Sequence, residues 1–180
     1  MYKNMQDPGE KVGSSALIWD HHNIPKHGFI AWLAMLRRLK TRDRLHNIGL
    51  CPMDQCPLCE IEQENHEHLF FACHFSKQCV QLIKEWLGIT ACTVNYTQLL
   101  RWLQRRHKGS KFRKRVMNAS VIAILYIVWR ERNNAVWNSK IYTVQKCVTD
   151  IKYSIITRVK DRLPKKISAA NARWFEQLYC

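Results

Sequence analysis

Three cysteines and one histidine in the first half of the chain stand in the order C-x2-C-x8-H-x4-C, and these residues are Cys56, Cys59, His68 and Cys73. They lie in a cysteine-rich segment, residues 51–73, which is rich in Cys, His, Pro and Glu and has few branched apolar side chains. Burial of apolar surface is the main force that fixes a chain segment, and this segment has little to bury. Another cross-link must therefore hold it.

This set of side chains is typical of a zinc site. Zn²⁺ prefers a tetrahedral shell of thiolate and imidazole, and a two-residue gap lets both sulfurs of a tight turn reach one ion about 2.3 Å away. Three thiolates and one imidazole fill the shell and leave no position for water, which predicts a structural site rather than a catalytic one. We predict that Zn²⁺ is bound by Cys56, Cys59, His68 and Cys73.

Neighbouring residues leave part of this assignment open. His66 and His74 lie close to His68, and either could replace it as the third ligand. Cys51 and Cys79 also compete in principle. A redox Cys-x-x-Cys is the other interpretation of the first pair, although that motif more naturally opens a helix in a strand-rich fold, and no strand pattern is visible here.

Outside the cysteine-rich segment the apolar residues follow helical periodicity. Spacings of 3 and 4 between apolar residues predict an amphipathic helix from Pro25 to about Lys40, with Thr41 as the N-cap of a short helix after it. Residues 116–137 predict a long helix that is apolar on most faces, and a further amphipathic helix ends before Pro164. We predict a mainly α fold, in which a small zinc-clasped helical module is followed by a helical C-terminal bundle.

Composition predicts three parts along the chain. Residues 1–16 carry Pro, Gly and Ser without periodicity, which is typical of a loose leader. Residues 17–90 contain the cysteine-rich segment and its flanking helices, and we predict that they form the zinc-binding domain. Residues 91–180 are predicted to form a basic linker and a helical C-terminal region.

Basic residues outnumber acidic ones, 29 against 14, so the formal net charge is +15. Such a charge favours polyanionic partners, because Lys and Arg that neutralise phosphates release counterions. The densest stretch, which we name the basic run (residues 101–115), contains no acid. We predict that it contacts the phosphates of RNA or single-stranded DNA through Arg101, Arg105, Arg106, Lys111, Arg113, Lys114 and Arg115.

Two aromatic residues, Trp102 and Phe112, are interleaved with the basic run. They can stack on unpaired bases, but core packing is the favoured interpretation, because Trp102 is flanked at helical spacing by apolar residues. The run itself is also compatible with a solvated linker or a nuclear-import signal. A second basic cluster lies near the cysteine-rich segment and comprises Arg37, Arg38, Lys40, Arg42 and Arg44.

The sequence also excludes several classes of protein. The first twenty residues lack the apolar region of a secretory signal, so the eight cysteines predict intracellular thiols in a nuclear or cytoplasmic protein. The longest apolar run, residues 121–129, is far shorter than the ~20 residues that cross a bilayer. Neither a nucleophile and base pair nor a Gly-rich phosphate loop is present, so we expect no enzyme activity, no membrane partner and no small-molecule substrate.

A series of short motifs surrounds the Cys/His pattern, in the order Trp19, Ile24-Pro25-Lys26, Phe29, Trp32, Leu39, Thr41, Asp43-Arg44-Leu45, Cys56-Pro57-Leu58-Cys59, Glu64, His68-Leu69-Phe70-Phe71 and Cys73. Together these motifs resemble one family, the reverse-transcriptase zinc-binding domain of plant LINE-type retrotransposons. The resemblance covers residues 19–90, and the helix that ends in Trp129-Arg130-Glu131-Arg132-Asn133 is similar to the tail that follows this domain. The resemblance implies a non-catalytic module derived from a retrotransposon polyprotein, detached from its reverse transcriptase.

Neither enzyme that neighbours this domain in such polyproteins is predicted here. A reverse transcriptase needs metal-binding aspartates, usually with an adjacent pair, and the chain has no Asp-Asp dipeptide. The acids after residue 86 are too few for a ribonuclease H site, being Glu131, Asp150, Asp161 and Glu176. The alternative to nucleic-acid binding is a zinc-stabilised structural or protein-interaction module, which includes an inactive retroelement remnant.

Overall fold

The computed structural model describes residues 15–93, 95–105 and 108–179 of the protein. Over these ranges the chain is mainly helical and forms no strand, which confirms the predicted fold class. The elements are α1 (Ser15–Ile18), α2 (Pro25–Met35), α3 (Arg42–Asn47), a π-helical turn (His68–Ala72), α4 (His74–Leu87), α5 (Tyr96–Arg105), α6 (Lys111–Asn138), α7 (Val144–Asp161) and α8 (Ala169–Glu176).

Helix α6 is the central element. It contacts α1, α2, α4, α5 and α7. Its residues from Val116 to Leu125 are all buried, which agrees with the prediction of a helix apolar on most faces. The helix begins at Lys111 rather than at residue 116, because the Ser110 hydroxyl caps it by accepting from the backbone N–H of Arg113 at 3.2 Å. The end of the basic run is therefore the first turn of α6.

Helices α7 and α8 complete the C-terminal part. The predicted apolar stripe of α7 is buried at Val148, Ile151, Ile155 and Val159, and the helix ends before Pro164 as predicted. Helix α8 lies against the start of α6, and the indole Nε1 of Trp86 donates to the carbonyl of Leu178 at 2.8 Å just beyond α8.

The prediction for the end of α2 was wrong. The helix ends at Met35 instead of Lys40, since Arg37 adopts a left-handed conformation with φ of 52°. The backbone N–H of Arg38 then donates to the carbonyl of Leu33 at 2.8 Å, which closes the helix end. Apolar periodicity misled the prediction because Leu39 is also buried, although it lies outside the helix.

The hydrophobic core is continuous across residue 90. Buried side chains from the N-terminal part, such as Ala31 and Ile83, belong to the same cluster as Ile122 and Ile151. The division into residues 17–90 and 91–180 stays a prediction. Most of the predicted leader and the predicted phosphate contact Arg106 lie outside the described residues. Within those residues, no helix has the length and apolar character needed to cross a bilayer.

Candidate metal centre

The four residues of the C-x2-C-x8-H-x4-C pattern come together in space. Their sulfur and imidazole nitrogen atoms all lie within 4.8 Å of one another, and we name this group the Cys/His cluster. The sulfurs of Cys56 and Cys73 are 3.9 Å apart, and the sulfur of Cys59 is 3.3 Å from Nε2 of His68. A tetrahedral zinc site with bonds of 2.0–2.3 Å needs ligand atoms about 3.3–3.8 Å apart. The spacing and the donor set both suit such an ion.

A short hairpin-like turn positions the first two ligands. The backbone N–H of Cys56 donates to the carbonyl of Glu62 at 2.8 Å, and that of Glu64 donates to the carbonyl of Asp54 at 2.8 Å. Between these two hydrogen bonds, the backbone N–H of Glu60 donates to the carbonyl of Cys56 at 2.8 Å, and Glu60 adopts a left-handed conformation with φ of 55°. The turn therefore brings both sulfurs to one side.

A π-helical turn positions the other two ligands. It spans His68–Ala72, and the N–H of Cys73 donates to the carbonyl of His68 at 2.6 Å. In an α-helix, residue i+5 is rotated by about 140° from residue i, at 3.6 residues per turn. The wider π-helical turn reduces this rotation, and single π-helical turns often occur at functional sites. The local geometry therefore explains the four-residue gap between His68 and Cys73.

A carboxylate orients the imidazole of the cluster. Nδ1 of His68 lies 3.1 Å from Oε2 of Glu62, so Nε2 is the nitrogen that faces the sulfurs. Carboxylate partners of this kind fix the tautomer of metal-binding histidines and raise their basicity as ligands. Our sequence reasoning missed Glu62, because an acidic residue six positions before a histidine carries no distinctive pattern.

The histidines that competed with His68 in the sequence lie outside the cluster. His66 is buried near Phe70, and burial lowers the pKa of His66 to about 4. His74 is exposed and lies beside Gln78. Cys51 also lies elsewhere and donates to the carbonyl of Met53 at 3.0 Å.

The surroundings of the two buried thiols in the cluster favour the thiolate form of one of them. Cys56 and Cys73 are both fully buried, and the Cys56 thiol donates to the sulfur of Cys73. This hydrogen bond lowers the pKa of Cys73 and raises that of Cys56. The N–H groups of Ser76 and Phe75, in the first turn of α4, also lower the pKa of Cys73. A metal that binds here would displace the remaining proton, since its thiol ligands must be deprotonated.

A buried ion pair attaches the cysteine-rich segment to α6. The carboxylate of Glu64 is fully buried and accepts from Nε of Arg132 at 3.0 and 3.1 Å. It also accepts from the backbone N–H of Arg42 at 3.0 Å, and Arg132 donates to the carbonyl of Lys40 at 3.3 Å. Burial raises the pKa of Glu64, and the charge of Arg132 opposes that rise. One carboxylate therefore joins α3 and α6.

A second group of residues that could bind a metal forms internal contacts instead. Asp20, His21 and His22 also have potential ligand atoms within 4.8 Å of one another. However, Nε of Arg115 lies 3.2 Å from Asp20, so a guanidinium already neutralises that carboxylate. The same carboxylate lies 2.9 Å from Nδ1 of His22. This group therefore forms an internal ion pair that links α6 to the residues after α1.

The described members of the basic run lie on α5, on the first turns of α6 and, for Lys108, between the two helices. Several of them make internal contacts. Arg113 donates to the carbonyl of Ala170 at 3.1 Å, Lys114 donates to that of Gln104 at 3.2 Å, and Arg115 pairs with Asp20. Exposed basic side chains of the run are those of Arg101, Arg105, Lys108, Lys111 and Arg115.

The aromatic residues of the basic run pack inward. Trp102 and Phe112 are half-buried against the core, which is the interpretation that the sequence favoured. The ring of Phe112 contacts those of Trp174 and Phe175 at centroid distances of 6.3 and 5.9 Å. In the second basic cluster, Arg37 forms an ion pair with Glu67.

Residues 1–79 match a family model described as zinc-binding in reverse transcriptase. The match includes all four residues of the Cys/His cluster. It supports a zinc-binding domain of the reverse-transcriptase type in the N-terminal part of the chain, as the motifs predicted. Comparison with curated proteins and with solved structures finds no match.

Proposed function

We propose that the Cys/His cluster binds one Zn²⁺ and that the protein is a non-catalytic module derived from the reverse-transcriptase polyprotein of a plant LINE-type retrotransposon. The observation that carries the proposal is the convergence of three sulfurs and one imidazole nitrogen within 4.8 Å. A shell of four protein ligands has no open position for substrate or water, so the ion would act structurally. The domain match over residues 1–79 supports the same assignment.

The metal analysis is the first test. Protein purified without added metal is expected to contain one zinc per chain by plasma emission spectrometry, and a Cys59→Ser variant is expected to lose it. If the protein contains iron instead of zinc, the Cys/His cluster is a metal site, but the proposed identity of the ion is wrong. Folded wild-type protein without any metal would contradict the proposal.

We further propose that RNA or single-stranded DNA binds to the basic run and that the protein acts in the nucleus or the cytoplasm. The net charge of +15 supports this, and so do the exposed side chains of Arg101, Arg105, Lys111 and Arg115. Lys114 and Arg115 each retain hydrogen-bond donors beyond those used internally, since a lysine offers three and an arginine five. Contacts to phosphates would give affinity with little sequence preference.

Salt dependence tests the nucleic-acid proposal. The affinity for a fluorescent single-stranded oligonucleotide is expected to fall steeply with salt, with a slope of about −0.7 per phosphate contact. An Arg105→Ala/Lys111→Ala variant should weaken binding and flatten that slope. The matched control is Lys77→Ala/Lys140→Ala, which removes the same charge from exposed positions outside the run. Equal weakening by both variants would assign binding to net charge alone, and salt-independent affinity would contradict the proposal.

A second function, protein interaction, is favoured by exposed apolar residues in or beside the cysteine-rich segment. The side chains that are more than half exposed there are those of Ile48, Leu50, Met53 and Ile61, with exposed fractions of 66, 71, 56 and 77%. A Leu50→Ser/Ile61→Ser variant separates the two functions. Under the interaction proposal it loses nuclease-resistant protein partners, whereas under the nucleic-acid proposal its affinity for oligonucleotides is unchanged.

A further inference from the structure

A small cavity lies where α1, α5 and α6 meet. Its volume is about 180 Å³, and its lining is mostly apolar. Leu17 of α1 and Leu103 of α5 provide apolar walls, and Asn118 of α6 also lines it. Sites for drug-sized ligands usually occupy about 300–1,000 Å³, so this cavity has room for one small ring system rather than a larger molecule.

Asn118, which lines the cavity, has a buried hydrogen-bond acceptor that is not satisfied. The side chain of Asn118 is 2% exposed, and its Nδ2 donates to the carbonyl of Leu17 at 2.8 Å. This bond fixes the orientation of the amide, because only Nδ2 can donate to a carbonyl. The oxygen Oδ1 has no partner among the described residues. An unpaired buried acceptor is unfavourable, and a ligand that presents an N–H group would satisfy it.

Two cations border the same cavity. Lys114 and Arg115 both line it, together with the carboxylate of Asp20, and the Arg115 side chain is 48% exposed. Each uses one donor internally, Lys114 toward the carbonyl of Gln104 and Arg115 toward Asp20. The side chains therefore keep further N–H donors that these contacts do not use.

We propose that this cavity accepts one unstacked base of a single-stranded nucleic acid, with Asn118 Oδ1 accepting an N–H of the base and Lys114 and Arg115 contacting the adjacent phosphates. The inference rests on the nucleic-acid binding proposed above. A flat ring with an N–H group matches the apolar walls and the unsatisfied acceptor, and a phosphate on each side of the base matches the two cations. Every nucleobase can present an N–H group, so this contact adds affinity without strong base preference.

The test compares a single-stranded oligonucleotide with an abasic one of equal length, using the full zinc-loaded chain and fluorescence anisotropy. We expect the abasic strand to bind about tenfold more weakly, within the range that one stacked base contributes. Two variants should abolish this difference without weakening binding of the abasic strand. Asn118→Leu removes the acceptor, and Leu17→Phe fills the cavity. Circular dichroism and zinc content report whether each variant is folded.

Matched controls are available for both variants. Asn138→Leu makes the same change at an exposed position of α6, and Leu163→Phe makes the other change at an exposed leucine after α7. Both should keep the tenfold difference. If the difference in affinity between the two strands persists in Asn118→Leu and Leu17→Phe, the cavity does not bind the base. Equal affinity of the wild-type protein for both strands would also contradict the proposal. Neither result would contradict binding to the phosphates. Failure of the wild-type protein to bind either strand would overturn the proposed nucleic-acid function as well.

Discussion

Helix α6 buries an unbroken series of side chains from Val116 to Leu125, whereas the cysteine-rich segment mixes exposed apolar residues, such as Ile61, with buried ones, such as Leu69 and Phe70. The first region is stabilised by apolar burial against five other helices. The second region buries fewer apolar side chains, has backbone hydrogen bonds in tight turns and contains the Cys/His cluster. We therefore expect that the cysteine-rich segment needs a bound metal as a cross-link, whereas α6 does not.

Loss of the metal is the change with the largest expected effect. Structural zinc contributes folding free energy on the order of 10 kcal/mol, and in this protein that contribution would fall on the cysteine-rich segment. In Cys59→Ser we expect rapid amide hydrogen exchange in residues 51–73 and continued protection in residues 116–128. Cys92→Ser, at an exposed cysteine outside the cluster, is the control and should change neither. Equal loss of protection in both regions would show that the core also depends on the metal.

The ion pair between Glu64 and Arg132 joins the two regions. We expect that breaking it has the second-largest effect on stability. Arg132→Leu leaves a buried carboxylate without its partner, which typically costs about 3–5 kcal/mol. We expect that loss in the free energy of unfolding by urea titration, and partial recovery in Glu64→Leu/Arg132→Leu. The control is Arg37→Leu, which breaks the exposed pair with Glu67 and should cost less than about 1 kcal/mol. No recovery in the double variant would mean that Arg132 acts through its packing on Trp129.

How much of this arrangement the sequence predicts depends on how local each feature is. The spacing of the Cys/His cluster predicted which side chains meet, because both pairs of ligands lie within single turns. The partner of Glu64 was not predicted, since Arg132 is 68 positions away and only the packing of α6 brings it near. The internal contacts of Lys114 and Arg115 were not predicted for the same reason. They result from tertiary packing, which cannot be inferred from the number of basic residues in a stretch of sequence.

Truncation of one buried side chain of α6 tests whether apolar burial stabilises the helical core. Ile122 is fully buried, and Ile122→Ala should lower the free energy of unfolding by about 2–5 kcal/mol through lost burial and the cavity left behind. Zinc content should stay at one per chain. Ile61→Ala makes the same change in the cysteine-rich segment, where the side chain is 77% exposed, and should stay within about 0.5 kcal/mol. Similar losses in the two variants would contradict the division into two kinds of stabilisation.

The smallest expected effect is a pH dependence that belongs to the helical core alone. His27 of α2 is 4% exposed and stacks on Tyr126 of α6 with ring centroids 4.1 Å apart. Burial, with smaller contributions from Lys26 and Arg130, lowers the pKa of His27 from 6.5 to about 4. Between these two values the unfolded chain binds a proton that the folded protein does not, so the free energy of unfolding falls as pH decreases through this window.

A His27→Phe variant isolates this contribution. Relative to the variant, the wild-type protein should lose roughly 1–2 kcal/mol of unfolding free energy between pH 7.5 and pH 5, and nothing above pH 7.5. Acid also releases metal by protonating the thiolates, but that loss is common to both proteins and cancels in their difference. Urea titrations at the two pH values give the result. Parallel pH profiles would mean that His27 has the same pKa in the folded and the unfolded protein, and would contradict a pH dependence that comes from its burial in the helical core.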